Sequence, residues 1–197
     1  MKRISLSLIL CAGLVFTGCK NEKKEEEKSM EEKDRTEMKG DRKSSEEVKK
    51  ITVSLEPKSG SEVEGEVVFR EENGTVTMTA IISGLAEGEH AIHLHEKADC
   101  SADDGSSAGG HWNPTGQPHG KWGASEGYHK GDIGNFTVDA NGRGSVNFST
   151  DEWCIGCGDK NKDITGTSVI IHDGVDDFTS QPSGNAGNRV ACAEIKK

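Results

Sequence analysis

EVEGEVVFREENGTVTMTAII, residues 62–82, places two alternating apolar runs, EVEGEVVF and TVTMTAII, on either side of Asn73-Gly74. A period of two marks strands that bury one face, and an Asn-Gly pair suits the left-handed backbone of a tight hairpin turn. Similar runs lie on both sides: ITVSL at 51–55 before it, then AIHLH at 91–95, NFTV at 135–138, GSVNF at 144–148, TSVII at 167–171 and RVACAEI at 189–195. Asn141-Gly142 repeats the turn signal, and no window of useful length carries a helical period. Eight short strands predict an all-β barrel or sandwich. Two connections are far longer than hairpin turns, about Glu96–Ile133 and about His172–Asn188, and a third irregular stretch runs from Thr150 to Ile164. Function is expected on these loops, which need a metal or a disulfide to order them.

The chain begins MKRISLSLILCAGLVFTGC, with a basic start at Lys2 and Arg3, an apolar stretch from Ile4 to Phe16 and small residues before Cys19. This is the layout of an export signal, and it is too short to span a bilayer. Thr17-Gly18-Cys19 resembles a lipoprotein cleavage box, so residues 1–18 are expected to be removed and Cys19 to be lipidated. The alternative is an ordinary cleaved signal with an incidental cysteine. Either reading exports the protein to the cell envelope, the periplasm or the cell surface.

From Lys20 to Lys50 there are 11 basic and 11 acidic residues, with Val48 and two methionines as the only apolar side chains. No core can form there, so residues 19–50 read as a charged, disordered or transiently helical tether, and membrane contact is expected only through the lipid. Residues 51–197 fit one domain with 11 basic and 23 acidic residues, a formal charge of −12. That balance, without a basic stripe, excludes nucleic-acid binding. An oxidising compartment lets thiols pair, and with Cys11 and Cys19 set aside, Cys100, Cys154, Cys157 and Cys192 remain. Four cysteines allow three connectivities.

The histidines carry the chemistry. His93 and His95 sit two apart on one strand, so their rings project from the same face as a chelating pair. His111 in GGHWNP, His119 in QPHG, and His129 with Asp132 in YHKGDIGN put three imidazoles and a carboxylate within 22 positions, a donor set suited to tetrahedral zinc. His172 ends TSVII and would join His93 and His95 if the sheets close on one another. An all-imidazole environment of that kind favours copper. Any one of these histidines alone is more often a solvated loop residue; the set and its spacing indicate metal.

Four blocks carry a resemblance to the copper/zinc superoxide dismutase family over nearly all of 51–197: HAIHLHEKADC at 90–100, GGHWNPTGQPHG at 109–120, YHKGDIGN at 128–135, and IIHDGVDDF through GNAGNRVACAEI at 170–195. The resemblance implies an eight-stranded Greek-key β-barrel with long metal-binding and electrostatic loops. It implies copper on His93, His95, His111 and His172, and zinc on His111, His119, His129 and Asp132, with His111 bridging. It makes Asp176 the outer link between the sites, accepting from His93 and His119, with Asp177 the more exposed neighbour. Arg189 becomes the arginine that meets the superoxide anion, Cys100–Cys192 the disulfide, and His90 a structural histidine. The reaction implied is disproportionation of superoxide to dioxygen and hydrogen peroxide, with His111 taking up a proton when copper is reduced. Lys121, in HGKWG, is expected to add guidance to the anion.

Cys154 and Cys157, in EWCIGCGD, are extra to the widespread family pattern and read as a local disulfide in preference to free thiols or an auxiliary metal or redox pair. No helix-forming segment follows them, as a thioredoxin-like pair would need. Trp112 and Trp153 read as packing residues. The competing functions are a non-catalytic envelope copper/zinc carrier and a surface domain merely stabilised by metal; Arg189 argues against the carrier. Monomer and homodimer both remain open.

Overall fold

The computed structural model describes residues 48–196. The export signal, Cys19 and the tether as far as Glu47 lie outside the described residues. Eight strands follow in order: β1 (Lys49–Pro57), β2 (Glu64–Glu72), β3 (Thr75–Ser83), β4 (Gly88–His95), β5 (Gly134–Val138), β6 (Arg143–Thr150), β7 (Ser168–His172) and β8 (Arg189–Glu194). The first begins at Lys49, two residues before the composition boundary, because the two lysines pair with Glu71 and Arg70 in the ladder to β2. Among the described residues the only helical piece is a 3-10 turn at Ser106–Ala108, and no helix is long and apolar enough to cross a membrane.

The strands close into an antiparallel barrel in the order β1-β2-β3-β6-β5-β4-β7-β8. β3 pairs with β6 and β4 with β7, so connections cross between sheets in the expected Greek-key manner. Two seams are slight: β5 meets β6 at the single pair Val138–Gly144, and β1 meets β8 at two pairs. The barrel is therefore two four-stranded sheets joined at their margins. Asn73 and Gly74 both adopt positive φ, 52° and 74°, as the predicted hairpin requires. The second Asn-Gly differs: only Gly142 is left-handed, at φ 74°, and Gly142 N donates to Asp139 O across a longer turn.

Alternation sorts the side chains. Val76, Met78, Ala80 and Ile82 of β3 point into the core with Val67, Phe69, Ile92, Leu94, Val169 and Ile171. Trp112 and Trp153 pack onto the same cluster. β4 from His90 onward and all of β7 are buried on both faces. Ile92 and Leu94 face the core, and His93 and His95 face outward beneath the long loops. Ile170, on the outer face of β7, packs with Ala108 and the Cys100–Cys192 pair. The outer face of the β4–β7 sheet is thus a second interior.

Candidate metal centre

Strand geometry sets the first residues of the site. His93 and His95 stand on the outer face of β4, and His172 ends β7 next to it, in the ladder where Ile92 pairs with Ile171. The loop after β4 then folds back along its own strand: Trp112 N donates to Leu94 O at 2.8 Å, Leu94 N to Gly131 O at 2.9 Å, and His111 makes an isolated bridge with His95. This return lays His111 beside His95 and carries His129 and Asp132 in behind it.

Two groups of donor atoms result. His93, His95, His111 and His172 form one, and His111, His119, His129 and Asp132 the other; in each group, one ligand atom per residue lies within 4.8 Å of the rest. His111 belongs to both. The Asp132 carboxylate lies 2.8, 3.1 and 3.3 Å from Nδ1 of His111, His119 and His129. Neighbouring ligands on a tetrahedral zinc with bonds of about 2.0–2.1 Å sit about 3.3 Å apart, so this group has the dimensions of such a site.

The ring nitrogens give an independent test of whether metals fit. His93 Nε2 donates to Asp176 Oδ2 at 2.8 Å, His119 Nε2 to Asp176 Oδ1 at 2.9 Å, His95 Nδ1 to Gly109 O at 2.9 Å and His172 Nδ1 to Gly187 O at 3.4 Å. A proton held on one nitrogen leaves a lone pair on the other. Of those others, His93 Nδ1, His95 Nε2 and His172 Nε2 are buried without a partner, as is His111 Nε2, while His119 Nδ1 and His129 Nδ1 are buried facing only the Asp132 carboxylate, at 3.1 and 3.3 Å. Four orphaned nitrogens aimed into the first cluster, and three imidazole nitrogens crowded on one carboxylate in the second, are costly arrangements unless cations satisfy them.

Electrostatics agree. Burial by itself would raise the Asp132 and Asp176 carboxyls, but hydrogen bonds from the histidines outweigh it and hold both well below the usual range. Burial lowers His95 and His172 well below the ordinary imidazole value, and neighbouring rings add to it. Burial also takes His111 down to about 4. At His119 burial acts in the same direction, but bonds to Asp132 and Asp176 overcome it and raise the ring to about 9.

The supports of the site are less visible in sequence. Asn135 Nδ2 donates to Asp176 O and Asn135 Oδ1 accepts from Asp176 N, at 2.9 and 2.8 Å. Gln181 grips His119 in the same two-way manner, accepting from its N–H at 2.8 Å and donating to its carbonyl at 2.9 Å. Asn135 stands in the block that carried the resemblance, but its role had no signal; Gln181 had none. Gly184 is held against this pair at φ 65°, where a Cβ would run into the Asp176 carboxylate and His119 Nε2. Asp177 is exposed and caps Thr179 and Ser180, as expected of the outer neighbour. His90 is buried with its nitrogens facing Ala86 O and His172 O, outside both clusters.

The first cluster opens to solvent through a cleft of about 350 Å³, lined by His95, His111, His172, Asn113, Ser183 and Arg189 among others. Arg189 is fixed by Nη1 on Gly105 O at 2.7 Å and Nη2 on Gly109 O at 2.8 Å. Among the described residues it is the one lysine or arginine on that wall. Lys121 is not there: the segment after His119 turns outward, and Lys121 lines a separate depression with Pro118 and Phe178. Cys100 pairs with Cys192, and Cys154 with Cys157.

A family model described as copper/zinc superoxide dismutase (SODC) matches residues 63–195. Cu-Zn superoxide dismutase 2 of Aquifex aeolicus is 38% identical over 140 residues, covering 68% of this chain and 81% of that protein. An extracellular Cu-Zn superoxide dismutase of Caenorhabditis elegans is 36% identical over 137 residues, 66% of this chain and 60% of that protein. The crystal structure of a double mutant of a SOD-like protein from Bacillus subtilis matches with a TM-score of 0.66 at 31% identity, covering 74% of this chain and 97% of that one.

Proposed function

Since the chain belongs to the copper/zinc superoxide dismutase family, we propose that copper is held by His93, His95, His111 and His172 and zinc by His111, His119, His129 and Asp132. The protein is an enzyme that converts two superoxide ions and two protons to dioxygen and hydrogen peroxide, and its cofactors are copper and zinc. The ring nitrogens support the site assignment: His93 Nδ1, His95 Nε2, His111 Nε2 and His172 Nε2 lack partners in the copper set, and Nδ1 of His111, His119 and His129 gather around the Asp132 carboxylate in the zinc set.

Bound copper supplies one-electron redox chemistry, and bound zinc a fixed charge without redox chemistry. The residues do the rest. Arg189, pinned by two carbonyls, presents its guanidinium to a small anion entering the cleft. Its local field outweighs the acidic surface, because distant carboxylates are screened within a Debye length of ~8 Å at physiological salt; superoxide dismutase is a standard illustration of such steering. His111 reaches the cleft and has Nδ1 held by Asp132 while Nε2 is free, so Nε2 is the atom that takes up a proton and passes it to peroxide. Asp176 keeps His93 and His119 in their donating tautomers.

The guanidinium on the cleft wall also weighs against a copper/zinc carrier, which needs no anion site. Export is supported by two disulfides and by the extracellular relative. Lipid attachment at Cys19, with residues 19–50 as tether, rests on sequence alone. Superoxide decay followed by its absorbance, with the copper- and zinc-loaded chain, tests the enzyme. Fast decay that is lost in His172→Ala is expected; no decay above free copper, with both metals bound, would favour the carrier.

A further inference from the structure

The loop between β6 and β7 carries a disulfide, Cys154–Cys157, that the metal chemistry does not use. Its two cysteines differ in access. Cys154 is buried, at 7% exposure, whereas Cys157 is exposed between Gly156 and Gly158. In the other disulfide both partners are buried, Cys100 at 5% and Cys192 at 0% exposure. Exchange requires a thiolate to reach a disulfide sulfur, and of the four paired cysteines only Cys157 is presented to one.

The same loop grips the segment that holds His129. Trp153, next to Cys154, donates Nε1–H to Lys130 O at 2.8 Å. Glu152 accepts from the Tyr128 hydroxyl at 2.6 Å and pairs with the Lys130 ammonium. Both chain neighbours of His129 are therefore held by the two residues before Cys154. Beyond the cysteine, Ile155 N donates to Glu71 at 2.8 Å and Ile155 O accepts from Lys49 at 2.8 Å, which ties the loop to β1 and β2. Gly156 and Gly158 donate to Asp163, at 2.9 and 2.8 Å. The disulfide closes a small ring that contains the barrel anchor, Ile155, and starts directly after the two residues that grip the His129 segment.

We propose that Cys154–Cys157 is a thiol–disulfide exchange site, attacked at Cys157 by an external dithiol, and that its reduction loosens the hold on the His129 segment and so on zinc. The second half rests on the zinc assignment above. In the exchange, a dithiol thiolate forms a bond to Cys157 Sγ and breaks the bond to Cys154 Sγ, which leaves with the electron pair and takes a proton. The second thiol then attacks the mixed disulfide, closes the oxidised dithiol and releases Cys157. Two electrons and two protons pass from the dithiol to the protein.

The test uses the zinc-loaded chain with dithiothreitol, alkylation and mass spectrometry for the cysteines, and a chromophoric chelator for zinc release. Cys154 and Cys157 are expected to be alkylated while Cys100 and Cys192 stay paired, and zinc is expected to leave about tenfold faster, the lower range for losing a group that holds a ligand in place. The Cys154→Ser, Cys157→Ser double variant should release zinc at the faster rate without dithiol and ignore its addition. Trp153→Phe, which removes the bond to Lys130 and leaves the disulfide, gives the same acceleration where the double variant fails to fold. Reduction of Cys100–Cys192 first, or together with the pair, overturns the exchange site. Unchanged zinc release with Cys154–Cys157 reduced overturns the coupling. An oxidised chain that binds no zinc would instead fail the zinc assignment, and with it the coupling, while the alkylation order still decides the exchange site.

Discussion

Gly109 offers one carbonyl oxygen to two partners, Arg189 Nη2 at 2.8 Å and His95 Nδ1 at 2.9 Å. A single atom thereby sets the His95 tautomer and the place of the anion-binding guanidinium. The position requires glycine, at φ 77° with the Glu96 side chain where a Cβ would stand. At the same scale the buried imidazoles govern how the metal-free chain responds to pH. His111, at about 4, and the lowered His95 and His172 resist a proton that the unfolded chain accepts near 6.5. Their stability is fully present above 6.5 and is lost as pH falls toward about 4. His119 has the opposite sign: raised to about 9, it contributes fully below 6.5 and loses its contribution as pH rises through about 9. The unfolding temperature of the metal-free chain is therefore expected to peak near pH 6.5 and to fall on both sides. Calorimetry over that range checks it, and a midpoint that climbs steadily into alkali would contradict it.

β4 serves two interiors with one period of two, Ile92 and Leu94 inward, His93 and His95 outward. The two faces are expected to separate by mutation. Ile92→Ala should lower the unfolding free energy of the metal-free chain by about 2–5 kcal/mol in denaturant titration and still permit both metals to bind. His95→Ala should abolish copper binding, read by metal analysis after dialysis, and leave cooperative unfolding in place. Loss of copper from Ile92→Ala without loss of stability would show that the faces are not independent. Alternation of this kind is why all eight strands could be read from sequence, and why the paired histidines of β4 were legible as a chelate. The supports were not, because no period links them: Asn135 reaches Asp176 across 41 positions and Gln181 reaches His119 across 62. Which way the loop turns after His119 was likewise not legible, so the sequence did not reveal that Lys121 lies outside the cleft wall.

Across the whole molecule, Cys100–Cys192 closes a span of 92 residues. On the chain-entropy model a loop of that length stabilises by about 4–5 kcal/mol. It also ties β8, where Arg189 begins the strand, to the loop whose Gly105 and Gly109 carbonyls hold that arginine. The Cys100→Ser, Cys192→Ser variant should lose stability by about that amount and lose roughly tenfold in kcat/KM for superoxide through misplacement of the guanidinium. Denaturant titration and superoxide decay separate the two effects. A variant that unfolds more easily but turns over at the original rate would leave the disulfide a purely stabilising role.

A closed barrel has no free strand edge to recruit another chain. Here that protection hangs on the seam where β5 meets β6 at one pair and on the two pairs between β1 and β8. If they part, each four-stranded half bares a row of backbone donors and acceptors while most of its ladder stays intact. Aggregation of the metal-free chain is then expected to follow the opening of these seams, ahead of global unfolding. Asp139 and Arg143, exposed charges on either side of the β5–β6 turn, stand as gatekeepers against edge-to-edge stacking at the weaker one.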